Sequence, residues 1–380
     1  MGTTATATRS SSKAAQQKRP FRKGTRIRRN PIPFTGSTAF TISSTSAPAP
    51  FSVNLPNVGM VSRIIVHITG TYASNSTTPV LADKGPWNLL KQIQFSANLG
   101  YAQIYNTSGF SNFAVVGKWL NYGYLGNKAG VGDTTPNVDF YSFPLAASAT
   151  AQAFTLSYAI PINLNYGMNF EMGLINMQSP EIQGYLQLNF GSLTDVDSAS
   201  AITSITGSID LQYEFMDIGP TRMFSLPPNV VVRILEDNQP IGQTGDNNYQ
   251  VPRMGTVLQI AQIVTLNGAR SDQVDGSYYR FNQGTVPEQW DRITQVWFER
   301  WLYGTNHTTG VFFFDWFCGF YGVSNGDLRD AVNSERIATW NQYMTVSSGA
   351  TLGSNNNTLT TVRRLVQPLV TVQPQQVNAA

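Results

Sequence analysis

Six apolar side chains fall at strict period two in one short stretch: Phe154, Leu156, Tyr158, Ile160, Ile162 and Leu164. Only an extended chain places all six on one face, because side chains alternate sides in a strand and rotate by about 100° per residue in a helix. Ile209, Leu211, Tyr213 and Phe215 repeat the pattern, and Ile64, Val66 and Ile68 share a face opposite Arg63, Ile65 and His67. Pro161 offers no amide donor to a ladder, which assigns its strand to a break or a sheet edge.

Shorter strand signals fill most of the remaining chain, at 40–42, 93–95, 101–105, 185–188, 230–235, 257–266, 311–317, 343–346 and 359–370. Loops rich in Gly, Asn and Ser separate them. Many short strands with such loops point to β-sandwiches or jelly rolls. Gly219-Pro220 and Pro227-Pro228 punctuate the middle and set a boundary between a first domain at 31–218 and a second at 219–380.

Two segments carry helical spacing. Ser108 suits an N-cap, with Phe110, Phe113, Ala114 and Gly117 on one face. Thr285-Val-Pro-Glu288 fits a capping box with Pro287 in the first turn, and Trp290, Ile293, Trp297 and Trp301 then recur at three- and four-residue spacing. Each half therefore reads as strands, a helix, then strands.

Charge is divided unevenly. The first 30 residues hold nine basic side chains and no acid: Arg9, Lys13, Lys18, Arg19, Arg22, Lys23, Arg26, Arg28 and Arg29. Of the 25 basic and 22 acidic residues in the chain, the remainder keeps 16 and 22, so a body of net charge −6 follows a strongly basic arm at 1–30. The arm has little to bury and is expected to be disordered when free. Its target is polyanionic: the phosphates of nucleic acid or of lipid head groups. Charged residues make up only 12% of the chain, about half the usual share. A polar, weakly charged surface is poorly defended against association, as suits a protein that packs against its own copies; secreted β-proteins share this composition.

Catalytic constellations are not evident, and neither an enzyme activity nor a cofactor is expected. His67 and His307 are the only histidines, and neither has a partner at metal-ligand spacing. Asp272 and Asp275 share a loop, as in a Ca²⁺ site or a solvated turn. Glu288, Asp291 and Glu299 are expected to pair with Arg292 or Arg300. Cys318, the single cysteine, reads as a small core side chain. The N-terminus has no apolar signal core, which implies synthesis and folding in a reducing cytoplasm.

Several stretches resemble a known family in order and spacing. Asn57-Val-Gly59 leads into a strand, Asp83-Lys-Gly-Pro-Trp-Asn-Leu-Leu90 enters the next, and Ser108-Gly109 opens the first helix. Gly173-Leu-Ile-Asn176 is followed by a strand ending Leu188-Asn-Phe190, and the Trp290 helix by Gly310-Val-Phe. Over most of 35–370 the chain resembles the double jelly-roll major capsid proteins of membrane-containing icosahedral phages, the tectivirus-like lineage that includes adenovirus hexon. The resemblance implies an all-β fold of two jelly rolls side by side, each with a flanking helix. It implies homotrimeric, pseudo-hexameric capsomers in a virion shell around an inner membrane. Neighbouring capsomers, penton and minor capsid or membrane proteins, and membrane lipid or packaged genome are the implied partners. Two alternatives stay open: a single-jelly-roll capsid protein with a genome-binding arm, and a carbohydrate-binding β-sandwich whose aromatics stack on sugars.

Overall fold

In a computed structural model of the chain, the described residues are 27–31, 38–43, 48–57, 59–98, 101–119, 141–164, 173–177, 182–216, 230–282, 284–303, 306–317, 331–353 and 356–368. The first half contributes β1 (Ile27–Pro31), β2 (Ala39–Ser43), β3 (Phe51–Asn54), β4 (Met60–Ser74), β5 (Leu90–Ala97), β6 (Tyr101–Thr107), β7 (Gln152–Pro161), β8 (Ile175–Asn176), β9 (Gly184–Phe190) and β10 (Ile202–Met216). The second contributes β11 (Val230–Pro240), β12 (Gly245–Gln250), β13 (Thr256–Leu266), β14 (Ala269–Arg270), β15 (Val274–Phe281), β16 (Thr285–Asp291), β17 (Val311–Asp315), β18 (Val332–Asn333), β19 (Trp340–Val346) and β20 (Thr358–Pro368).

Strand order repeats between the halves. In the first, β1 and β2 lie end to end along β10, followed by β4 and β7; the facing sheet runs β3, β9, β5, β6. In the second, β11 lies along β20, followed by β13 and β17; the facing sheet runs β12, β19, β15, β16. Eight strand positions therefore match one for one, and sequence-distant strands alternate within each sheet. This is the connectivity of a jelly roll, present twice. A chain with one roll and a protruding domain is a different topology, so the single-jelly-roll alternative does not describe this protein.

The period-two runs explain why these segments pair. Ile64, Val66 and Ile68 of β4, Leu156, Tyr158 and Ile160 of β7, and Ile209, Leu211 and Tyr213 of β10 all point into one buried cluster. A strand slipped by one residue would send that whole set to the opposite face. β7 ends at Pro161 and lies at the end of its sheet, as the missing amide donor requires. Gly59 enters β4 with φ +54°, and a Cβ there would lie 2.6 Å from the Met216 carbonyl oxygen, so only glycine fits.

Ser108 caps the first helical segment, at 109–119, accepting a 3.2 Å hydrogen bond from the Ser111 amide. Phe110, Ala114, Val115, Val116 and Trp119 are buried.

The second helix departs from the sequence expectation. Residues 285–291 form β16, paired antiparallel with β15, and the helix runs Arg292–Tyr303. Thr285 and Glu288 to Asp291 pair with β15, and Val286 and Pro287 fall in a bulge between them. Asp291 takes over as the cap: its carboxylate accepts from the Thr294 amide at 2.8 Å and the Thr294 hydroxyl at 3.0 Å. Trp290 accordingly belongs to the strand. The arm is also shorter than its 1–30 assignment, because β1 begins at Ile27 and pairs with β10 through Met216. Cys318 lies outside the described residues.

Candidate functional site

The residues with the most concentrated polar chemistry lie where the two rolls meet. End strand β6 of the first roll runs parallel to end strand β11 of the second, with Tyr105 opposite Ile234 and Asn106 opposite Leu235. This pairing merges a sheet from each roll. The largest buried apolar cluster crosses the same seam, adding Val231, Ile234, Ala261, Ile263, Val311, Phe313 and Val362 to the core of the first roll.

Polar contacts reinforce the seam. The Ser108 amide donates to Glu236 Oε2 at 2.6 Å, and Arg233 Nε donates to the Gln103 carbonyl at 2.8 Å. Arg270 pairs with Asp83 at 3.1 Å, while its guanidinium carbon lies 4.6 Å from the centre of the Phe110 ring. From the 109–119 helix, Lys118 crosses to Glu299 on the second helix and donates to Thr308 Oγ1 at 2.8 Å. Lys118 and Glu299 are both buried. Burial pushes the Lys118 ammonium below its ordinary value, and the Glu299 charge beside it acts in the opposite direction.

Glu299 also meets His307, whose Nδ1 lies 2.6 Å from Glu299 Oε2 and whose Nε2 lies 2.9 Å from Asp272 Oδ1. Asp272 Oδ1 accepts a further bond from the Gly310 amide at 2.6 Å. With a carboxylate at each ring nitrogen, the doubly protonated imidazole satisfies both contacts. Burial alone would lower the His307 value; the bonds to Glu299 and Asp272 outweigh it and raise the net value above 6.5. Lys118 of the first roll thus meets Glu299 of the second across the seam, and His307 and Asp272 continue the charge cluster within the second roll.

This placement overturns several sequence pairings. Glu299 meets Lys118 and His307 in place of Arg292 or Arg300, because its face of the helix turns inward. Asp272 serves His307, and Asp275 lies on β15 accepting from Ser347 Oγ at 2.5 Å, so the two do not converge. Among the described residues no group of three or more His, Cys, Asp and Glu is placed to hold a metal ion. His67 hydrogen-bonds Ser157 across β4 and β7 at 2.6 Å. Lys118 and Glu299 are 181 residues apart, and no local pattern links them. A usable signal did exist: Gln295 and Glu299 lie four apart, opposite the Ile293, Trp297 and Trp301 face.

Of the nine arm residues, Arg28 and Arg29 lie on β1 opposite Phe215 and Glu214; the other seven lie outside the described residues. Among the described residues no helix is long and apolar enough to cross a membrane.

Two matching rolls with flanking helices, merged through one seam, define the double jelly roll, the fold of a class of major capsid proteins. Solved structures agree. The chain is similar to the MCP of STIV, at TM-score 0.63 and 11% identity over 90% of this chain and 97% of that one. It is similar to PBCV-1 VP54, as fitted into a reconstruction of the virophage Sputnik, at TM-score 0.62 and 12% identity over 92% and 96%. A chain from the atomic structure of Sulfolobus Turreted Icosahedral Virus matches at TM-score 0.60 and 10% identity over 89% and 90%. No protein-family model matches the sequence, and no curated protein does. At these identities the shared property is the fold.

Proposed function

We propose that this chain is a major capsid protein, structural and without enzymatic activity. In this reading three copies close into a pseudo-hexameric capsomer, and capsomers tile the icosahedral shell of a bacterial virus around an inner membrane. The observation that carries the proposal is the repeated roll: one chain presents two barrels of matching strand order, so three chains present six similar barrels. The likeness to capsid proteins along nearly the whole of both chains supports it. The division at 31–218 and 219–380 belongs to the same reading, with the first roll extended back to β1. The basic arm (Arg9, Lys13, Lys18, Arg19, Arg22, Lys23, Arg26, Arg28 and Arg29) serves an anionic surface. Lipid head groups of the inner membrane are preferred, since a genome enclosed in a vesicle lies behind that membrane. Penton, minor capsid and membrane proteins are the remaining partners.

Electron microscopy of the purified protein and of particles containing it tests the proposal. The expected images are trimers of hexagonal outline and a shell around a vesicle. A chain that stays monomeric, forms no shell and binds glycans would overturn it.

A further inference from the structure

The two flanking helices occupy the same place in their rolls, each between the fifth and sixth strand positions, yet they differ in what they leave exposed. The 109–119 helix buries Phe110, Ala114, Val115, Val116 and Trp119 within the chain. The Arg292–Tyr303 helix turns Gln295 and Glu299 inward, where Gln295 Nε2 donates to the Phe313 carbonyl at 2.7 Å and its Oε1 accepts from the Phe313 amide at 3.0 Å. Leu302 is buried beside them, but three large apolar side chains face out: Ile293 is 78% exposed, Trp297 62% and Trp301 43%. The two indoles stack with centroids 5.7 Å apart and planes 14° apart. An exposed apolar stripe of this kind marks a surface that another molecule covers, and tryptophan is the side chain most concentrated at the energetic centres of such contacts.

The first helix shows what covers a helix at this position. It sits beside β6, at the seam where the end strand of one roll abuts end strand β11 of the following roll. The second roll repeats the upstream half of that seam, with β16 at the end of its sheet and the Arg292–Tyr303 helix following it. The first roll repeats the downstream half: β1 and β2 occupy the position of β11. Beside β2 and β3 lies an open groove of about 440 Å³, lined by Thr38, Phe40, Thr41, Pro48, Pro50 and Ser52 among others. Each copy thus carries one joined seam and the two separate halves of a second.

We infer that the Ile293, Trp297 and Trp301 stripe docks on the β1–β2 side of the first roll of another copy of this chain, repeating between molecules the seam made within one. Such a contact is head-to-tail, and it closes three copies into a ring when the internal step and the step between copies together turn by a third of a circle. The inference rests on the capsomer reading above and assigns its contact surface.

The test is the mass of the full chain in solution, by light scattering and sedimentation, for wild type and for a Trp297→Ser, Trp301→Ser double variant. Both side chains are solvent-facing, so the variant is expected to keep the wild-type circular dichroism and to be monomeric at concentrations where wild type is trimeric. A photo-crosslinking residue at position 297 of the full chain adds a positive readout. The expected product joins it to residues within 27–52 of a second copy, located by mass spectrometry. A folded double variant that still forms trimers overturns the inference and leaves the capsomer reading standing, as does a crosslink that maps elsewhere on the second copy. A wild-type chain that never leaves the monomer overturns the capsomer reading itself, and the inference with it.

Discussion

His307 shows how one titratable side chain makes the second roll's side of the seam sensitive to pH. Its ring stands between Glu299 and Asp272, and those bonds hold its folded value above the free value of 6.5. Because the folded state binds the proton more tightly than the unfolded state, the stabilisation is complete below 6.5 and is lost as pH rises through the raised value. Lys118 carries the opposite sign at the alkaline end, because burial lowers its value. Wild type and His307→Gln share that lysine, so the difference between them isolates the histidine. Thermal unfolding across neutral pH is expected to show a melting temperature that falls with rising pH in wild type and falls less in the variant. Parallel curves for the two proteins would contradict the assignment. None of this was legible in the sequence, where His307 is a histidine with no partner at metal-ligand spacing. Its partners come from a helix and a loop that only the fold assembles.

Among the elements, the first helix is held by its neighbours as closely as by its own cap. A Cβ on Gly109 would lie 2.1 Å from the Trp87 carbonyl oxygen and 2.7 Å from that of Leu90. Gly109→Ala is therefore expected to push the helix off β5 and destabilise the chain by about 1–3 kcal/mol, the usual cost of overpacking; equilibrium unfolding in denaturant measures it. A variant of unchanged stability would mean that the helix entry has slack. The long strands and this helix could be read directly, because period two in β4, β7 and β10 and the Ser108 cap are local signals. β16 could not. Thr285-Val-Pro-Glu288 satisfies the rules for a helix start, but β15 offers it a ladder, and tertiary pairing overrides local preference. The polar strand β12 escaped for a related reason. Its sequence Gly-Asp-Asn-Asn-Tyr-Gln carries no apolar alternation, and its pairing with β19 defines it.

At the scale of the whole molecule, a basic arm is joined to an acidic body through a strand. The resemblance carried by short motifs anticipated the double roll, yet the point where arm becomes barrel was hidden, because Ile27-Arg-Arg-Asn-Pro31 reads as charge and only its register on β10 makes it an edge strand. That register divides the arm's functions between two truncations. Removing residues 1–26 deletes seven of the nine basic side chains and leaves β1 whole. Removing 1–31 also strips β1 from the 212–216 end of β10. The shorter deletion is expected to keep the wild-type melting temperature and oligomeric state while losing affinity for anionic vesicles; the longer one is expected to lower the melting temperature as well. Flotation with vesicles of mixed neutral and anionic lipid reads the binding. Wild-type binding should weaken steeply between low and physiological salt, since the Debye length shrinks to about 8 Å at 0.15 M. With duplex DNA in place of vesicles, the logarithm of the binding constant should fall with a slope of about −0.9 per phosphate neutralised. Stronger retention on vesicles than on DNA at matched salt would assign the arm to lipid, and the reverse order would assign it to genome. Binding indifferent to salt would remove the electrostatic account altogether and leave Phe21 as the anchoring group.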